Sequence, residues 1–208
     1  MRRLLGAAIV LALALPAAAA DKLRAGILPF DVVSVDGAAD AASRAMAKLV
    51  RMEMIKNSKL TPELLTVAPG TKTPISAEMA STLGKQANVA VVIIGTVMEA
   101  SSEQSTHSAD TGSIMSGLGI GGRVDKSTAK VSLHVDLVNP ASGEIADSFD
   151  VEGKASEMGL GGDFSTTLGG FDTGNTSWEK TPMGKALQDA AKKLTEQVAK
   201  RASKFSAP

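Results

Sequence analysis

The 208-residue chain contains no cysteine and no tyrosine, one tryptophan and five phenylalanines. Without thiols it forms no disulfide staple and no thiolate metal site, and no lipidated cysteine can follow a leader. The scarcity of flat rings argues against sugar platforms and against stacking of single-stranded nucleic acid. His107 and His134 are the only histidines, and neither stands in an HxH or HExxH spacing, so no metal or cofactor is predicted. No GxSxG elbow occurs, so no catalytic residue is assigned and the chain reads as a non-enzyme. A Ser-His-Asp site converges only in space, which leaves a hydrolase dependent on His134 as a third reading.

Charge of one sign is also missing, because 22 basic groups face 22 acidic ones. That balance favours neither nucleic acid nor an anionic membrane surface. No apolar run is long enough for a transmembrane helix. What the chain does have is a leader pattern. Arg2 and Arg3 precede an apolar stretch from Leu4 to Pro16, and Ala18-Ala19-Ala20 offers a small-residue cleavage site before Asp21. Residues 1–20 are therefore expected to be a signal peptide and 21–208 an exported, periplasmic chain. Loss of Arg2 and Arg3 leaves 20 basic against 22 acidic groups, about −2 overall.

Hydrophobic periodicity predicts an α/β fold: a mixed β-sheet packed by three main helices, with two Gly-rich β-hairpin excursions. Leu23–Phe30 reads as a buried strand and Asp31–Gly37 as a loop. Over Ala38–Lys56, Ala42, Ala45, Met46, Leu49, Val50 and Met54 recur at helical spacing, with Arg44, Lys48, Arg51 and Glu53 largely on the other side. Leu60–Val67 is a short strand containing Pro62, and Ser76 with Met79 opens a helix to about Gln86. The β-branched run Asn88–Met98 suits a strand covered on both faces. Val131, Leu133, Val135 and Leu137 share one face of a strand over Lys130–Val138. Turn chemistry at Asn139–Gly143 leads to a returning strand over Ile145–Val151. Thr181-Pro182 caps a closing helix whose stripe is Met183, Leu187, Ala190, Ala191, Leu194, Val198 and Ala202.

These segments, in this order, resemble the curli-secretion CsgG family and its soluble relatives. The resemblance rests on LRAGILPF, AASRAMAKLVRMEMIKNSKL, ANVAVVIIGTVMEA, SGLGIGG, KVSLHVDLVNPASGEIADSFDVEGKAS and GKALQDAAKKLTEQVAK. It covers most of residues 21–208, and the strand, NPASGE turn and return strand are its most specific part. It implies a periplasmic α/β core and homo-oligomeric export of adhesive fibre subunits. In pore-forming members it implies two β-hairpins per subunit, assembled into an outer-membrane barrel. Lipid-anchored members carry a cysteine after the leader, where this chain has Asp21. The Asp31–Gly37 loop also lacks the aromatic and the asparagine of the secretion-channel constriction.

Two tracts, 101–129 and 148–177, are candidates for the hairpins. Ile114, Leu118 and Ile120 in the first, and Leu160, Phe164 and Leu168 in the second, alternate with small or polar residues. A period of two over about ten residues is what an outer-membrane strand requires. These six residues are the candidate membrane- or partner-contacting positions. Solvated surface hairpins remain an open alternative. GLGIGG at 117–122 has neither the preceding strand nor the following helix of a phosphate loop.

Two functional readings follow. In the first, the protein is an exported envelope protein acting in assembly or secretion of surface fibres. It works by homo-oligomerisation and by binding another envelope or secreted fibre protein, with outer-membrane association through the hairpins. In the second, it is a soluble monomeric periplasmic adaptor or activator whose contact surface surrounds Arg44, Lys48 and Arg51.

Overall fold

A computed structural model describes residues 22–33, 37–68, 71, 74–108, 123–160 and 178–205. The leader reading of residues 1–20 lies outside them. Six strands and three helices follow in the order β1 (Leu23–Ile27), β2 (Asp31–Val32), α1 (Gly37–Lys56), β3 (Leu60–Leu64), α2 (Ala77–Gln86), β4 (Val91–Ser108), β5 (Arg123–Val138), β6 (Ile145–Leu160) and α3 (Pro182–Arg201). They form one mixed sheet ordered β3-β1-β4-β5-β6, with β2 beside β4 further along than β1. The β1 pairings to β3 and β4 are parallel, and the β4–β5–β6 pairings are antiparallel.

This order explains the layers. The chain moves outward from β1 to β3 through α1, then back across β1 to β4 through α2. Right-handed crossovers running in opposite directions put their helices on opposite faces of the sheet. Accordingly α1 and α3 share one face over Ile27, Ile93, Leu133 and Leu137, all fully buried with Met46, Met54, Leu187 and Leu194. On the other face, α2 covers Leu28, Val92, Ile94 and Val138. β4 feeds both cores because alternate residues of a strand point to opposite faces.

Local chemistry sets the element boundaries. The Ser76 hydroxyl accepts from the Met79 amide and the Thr181 hydroxyl from the Gly184 amide, so both helices start on side-chain caps. Between β5 and β6, the Gly143 amide donates to the Asn139 carbonyl at 2.9 Å, and Gly143 has φ +78°, a backbone region that glycine enters without strain. Pro62 is tolerated within β3 for a directional reason. The Leu65 amide donates to the Ile27 carbonyl at 2.9 Å, and the two-residue period then turns position 62 to the outer edge. Its missing N–H would have faced away from the sheet in any case.

Four expectations need correction. The predicted loop Asp31–Gly37 begins with β2, which pairs with Thr96 and Val97. The strand expected to stop at Met98 continues to Ser108, and the returning strand expected to stop at Val151 continues to Leu160. The strand expected from Lys130 starts at Arg123. From Ser101 onward, the extensions lie within the tracts 101–129 and 148–177 that the sequence marks as hairpin candidates. They are strands because each polar residue has a cross-strand neighbour that holds the ladder in register.

Candidate functional site

The strand extensions form the feature that no compact α/β core needs. Ser101–Ser108 of β4 pairs with Arg123–Lys130 of β5, and β5 pairs in turn with β6 as far as Leu160. Beyond Ala100 on β4 and Ala129 on β5 no described side chain of these two strands is buried. The projecting part, Ser101–Ser108, is roughly 25 Å of strand at about 3.4 Å per residue. Its sequence, Ser-Ser-Glu-Gln-Ser-Thr-His-Ser, is polar throughout, so it reads as a polar stalk.

Nearer the core, the face of β4–β5–β6 opposite α3 carries, beyond the part that α2 covers, polar residues in registered rows. Thr96, His134 and Asp150 form one row, Glu99, Ser132 and Glu152 the next, and Ser101, Lys130 and Lys154 the third. The Lys130 ammonium lies 3.0 Å from Glu99 and 3.8 Å from Glu152, and Lys154 pairs with Glu152. The hydrogen bond from Lys130 lowers the Glu99 carboxyl below its ordinary value, and Glu99 in turn raises Lys130. Lys154 does the same for Glu152. A shallow depression on the sheet is lined by Glu99, Ser101, Glu103, Thr128, Lys130 and Lys154, among others. Lys130 and Lys154 thus pair with the carboxylates of the middle row.

The sheet is closed to strand addition at two places within the core. At the β3 edge Pro62 removes a donor. At the β6 edge the Lys154 amide donates to Asp189 of α3 at 3.1 Å, and the Lys193 ammonium donates to the Glu152 carbonyl at 2.9 Å. These two edge groups, which a neighbouring strand would need, are occupied by α3 side chains. Lys185 pairs with Glu157 near the start of α3, and Arg201 and Lys204 hold Asp147 at 2.8 and 2.7 Å near its end. The helix is thus fastened along the length of β6.

Of the six predicted contact positions, only Leu160 lies among the described residues, where it pairs with Val124. Ile114, Leu118, Ile120, Phe164 and Leu168 lie outside them. The described structure therefore does not bring the six together. Sequence reasoning missed the polar rows and the capping of β6 by α3. The rows had a visible signal in Lys126, Thr128, Lys130, Ser132, His134 and Asp136, which alternate with the buried face of β5. The capping had none, because Asp189 and Lys193 look like an ordinary solvated i,i+4 pair.

Among the described residues no three His, Asp or Glu side chains are grouped to hold a metal ion. No described helix is long and apolar enough to cross a membrane, which says nothing of crossing by strands.

Comparison with known proteins agrees with the architecture. The hypothetical protein CT253 from Chlamydia trachomatis superposes with a TM-score of 0.54 at 12% identity, covering 88% of this chain and 98% of that one, and shares the fold. A PelC dodecamer from Paraburkholderia phytofirmans gives a TM-score of 0.45 at 10% identity, covering 90% of each chain. Lipoprotein GNA1162 from Neisseria meningitidis gives 0.39 at 12%, covering 71% of this chain and 90% of that one. The last two likenesses are too loose to carry an argument. No curated protein matches by sequence. The model of the family described as "Curli production assembly/transport component CsgG" matches residues 60–206, well over half the chain, and the protein belongs to that family.

Proposed function

We propose that this protein works without catalysis in the cell envelope, in the assembly or secretion of surface fibres. It is exported to the periplasm, self-associates, and binds another envelope or secreted fibre protein. The observation that carries this reading is the projecting β4–β5 ladder, which extends past the last buried side chain of both strands among the described residues. A folded core gains nothing from such a stalk, whereas an assembling protein does. Because Pro62 and the α3 caps obstruct strand addition within the core, the distal part of the sheet is the place for partner contacts. Ile114, Leu118, Ile120, Leu160, Phe164 and Leu168 are the membrane- or partner-contacting positions of this reading, on their alternation in the sequence.

Replacing Leu118 and Phe164 together by Asp tests the role of these positions. The double variant is expected to fold, to be exported and to lose assembly or membrane retention. Unchanged assembly would remove the distal positions from the account.

One observation favours the monomeric adaptor as a second reading. Arg44, Lys48 and Arg51 are all exposed along the outer face of α1, at spacings of four and three. An acidic partner surface would suit that stripe. Charge reversal at the three positions separates the readings, because it would abolish partner binding in the second and leave assembly intact in the first.

A further inference from the structure

His134 stands on the polar part of this sheet face, directly between two carboxylates. Its Nδ1 is 2.7 Å from Asp150 Oδ1 on β6, and its Nε2 is 3.4 Å from Asp136 Oδ1 on β5. Asp136 also accepts a hydrogen bond from the Ser148 hydroxyl of β6. Four side chains, Ser148, Asp136, His134 and Asp150, thus make a continuous polar chain across the β5–β6 pairing. The residue opposite on β4 is Thr96, which carries no charge. In the next row Glu99 and Glu152 bond to lysines, and both helices of the first core lie on the other side of the sheet.

A neutral imidazole has one N–H and can satisfy only one of the two carboxylates, leaving its lone pair turned toward the other. An imidazolium donates to Asp150 and turns a positive charge toward Asp136 as well. The hydrogen bond to Asp150 is the largest cause raising the His134 pKa above its ordinary 6.5, partly opposed by burial and supported by Asp136. A group whose folded pKa is raised contributes stability that is full below the unfolded value and is lost as pH rises through the folded one. The tightening therefore operates below pH 6.5 and fades above it, across the range that histidine alone senses without strong perturbation.

We propose that His134 is a pH-sensitive clasp between β5 and β6, protonated and paired with both carboxylates in mildly acidic surroundings and loosened in alkaline ones. It sits at the root of the distal ladder, one row before the bulge between Val97 and Glu99. It therefore adjusts how firmly β6 is zipped to the strand that carries the stalk. The inference stands on this geometry and does not depend on the proposed envelope role.

The test is amide hydrogen exchange of the full chain at pH 5.5 and 8.5, read as protection factors for Val135 and Val151, with an NMR titration of the His134 ring. In the unsubstituted protein the factors should be about two- to fivefold higher at the lower pH, the range an exposed ion pair supplies. His134→Gln should abolish the difference, and Asp150→Asn should lower the ring pKa and weaken it while leaving the fold intact. A ring titrating at or below the ordinary value, or a pH response unchanged in His134→Gln, would overturn the proposal.

Discussion

Gly153 of β6 lies against Ala190 of α3 so closely that a Cβ at Gly153 would stand 2.7 Å from the Ala190 nitrogen and 2.8 Å from its Cβ, and would collide with the Ala186 carbonyl oxygen. Two of the three obstacles are backbone, which cannot swing aside. Gly153→Ala must push α3 off the sheet, and overpacking of this kind costs about 1–3 kcal/mol. The urea midpoint should fall accordingly with an unchanged slope. A midpoint equal to that of the unsubstituted protein would mean that α3 is not seated as described.

The Thr195 hydroxyl on α3 is buried without a hydrogen-bond partner among the described residues. Burying a hydroxyl unsatisfied costs free energy that an isosteric methyl group does not. Thr195→Val should raise stability by about 1 kcal/mol, read as a higher urea midpoint. A fall in the midpoint would show that the hydroxyl has a partner.

Asp147 near the start of β6 accepts from Lys204 and from Arg201, and the Arg201 guanidinium also lies 4.3 Å from the Phe149 ring centroid. Lys204, with Arg201, holds the Asp147 carboxyl below its ordinary 3.8. A depressed carboxylate contributes stability above its unfolded pKa and loses it as pH falls through the folded one. Asp147→Asn should therefore be less stable than the unsubstituted protein at pH 7, with the gap closing below pH 3.8. Parallel stability curves down to pH 2 would contradict this.

Ser81 fastens α2 to the β5–β6 turn through a buried 2.9 Å hydrogen bond to the Pro140 carbonyl. Ser81→Ala should cost about 1 kcal/mol, and it should increase hydrogen exchange in α2 before the rest of the fold. Uniform loss of protection would instead mean that α2 unfolds only with the whole sheet.

The core was legible in the sequence wherever burial imposes a period. The α1 positions Ala42, Met46, Leu49 and Val50, the β5 row from Val131 to Leu137, and the α3 stripe are all buried as the spacing predicts. The caps at Ser76 and Thr181 were legible because one residue and its neighbour three positions on suffice. Strand length was not. Ser101–Ser108 carries no apolar alternation, and what makes it a strand is a partner far along the chain. The same distance hid the Asp189 and Lys193 caps and the His134–Asp150 pair, since β5 and β6 must first be in register. Ile114, Leu118, Ile120, Phe164 and Leu168 rest on their alternation alone.

The most direct test of the envelope account is fractionation of cells expressing the native protein, with the membrane pellet washed in alkaline carbonate. Retention through the wash, with release only by detergent, is the result expected if the distal positions contact the outer membrane. Recovery of the protein in the soluble periplasmic fraction would contradict membrane contact by these positions and favour the adaptor reading.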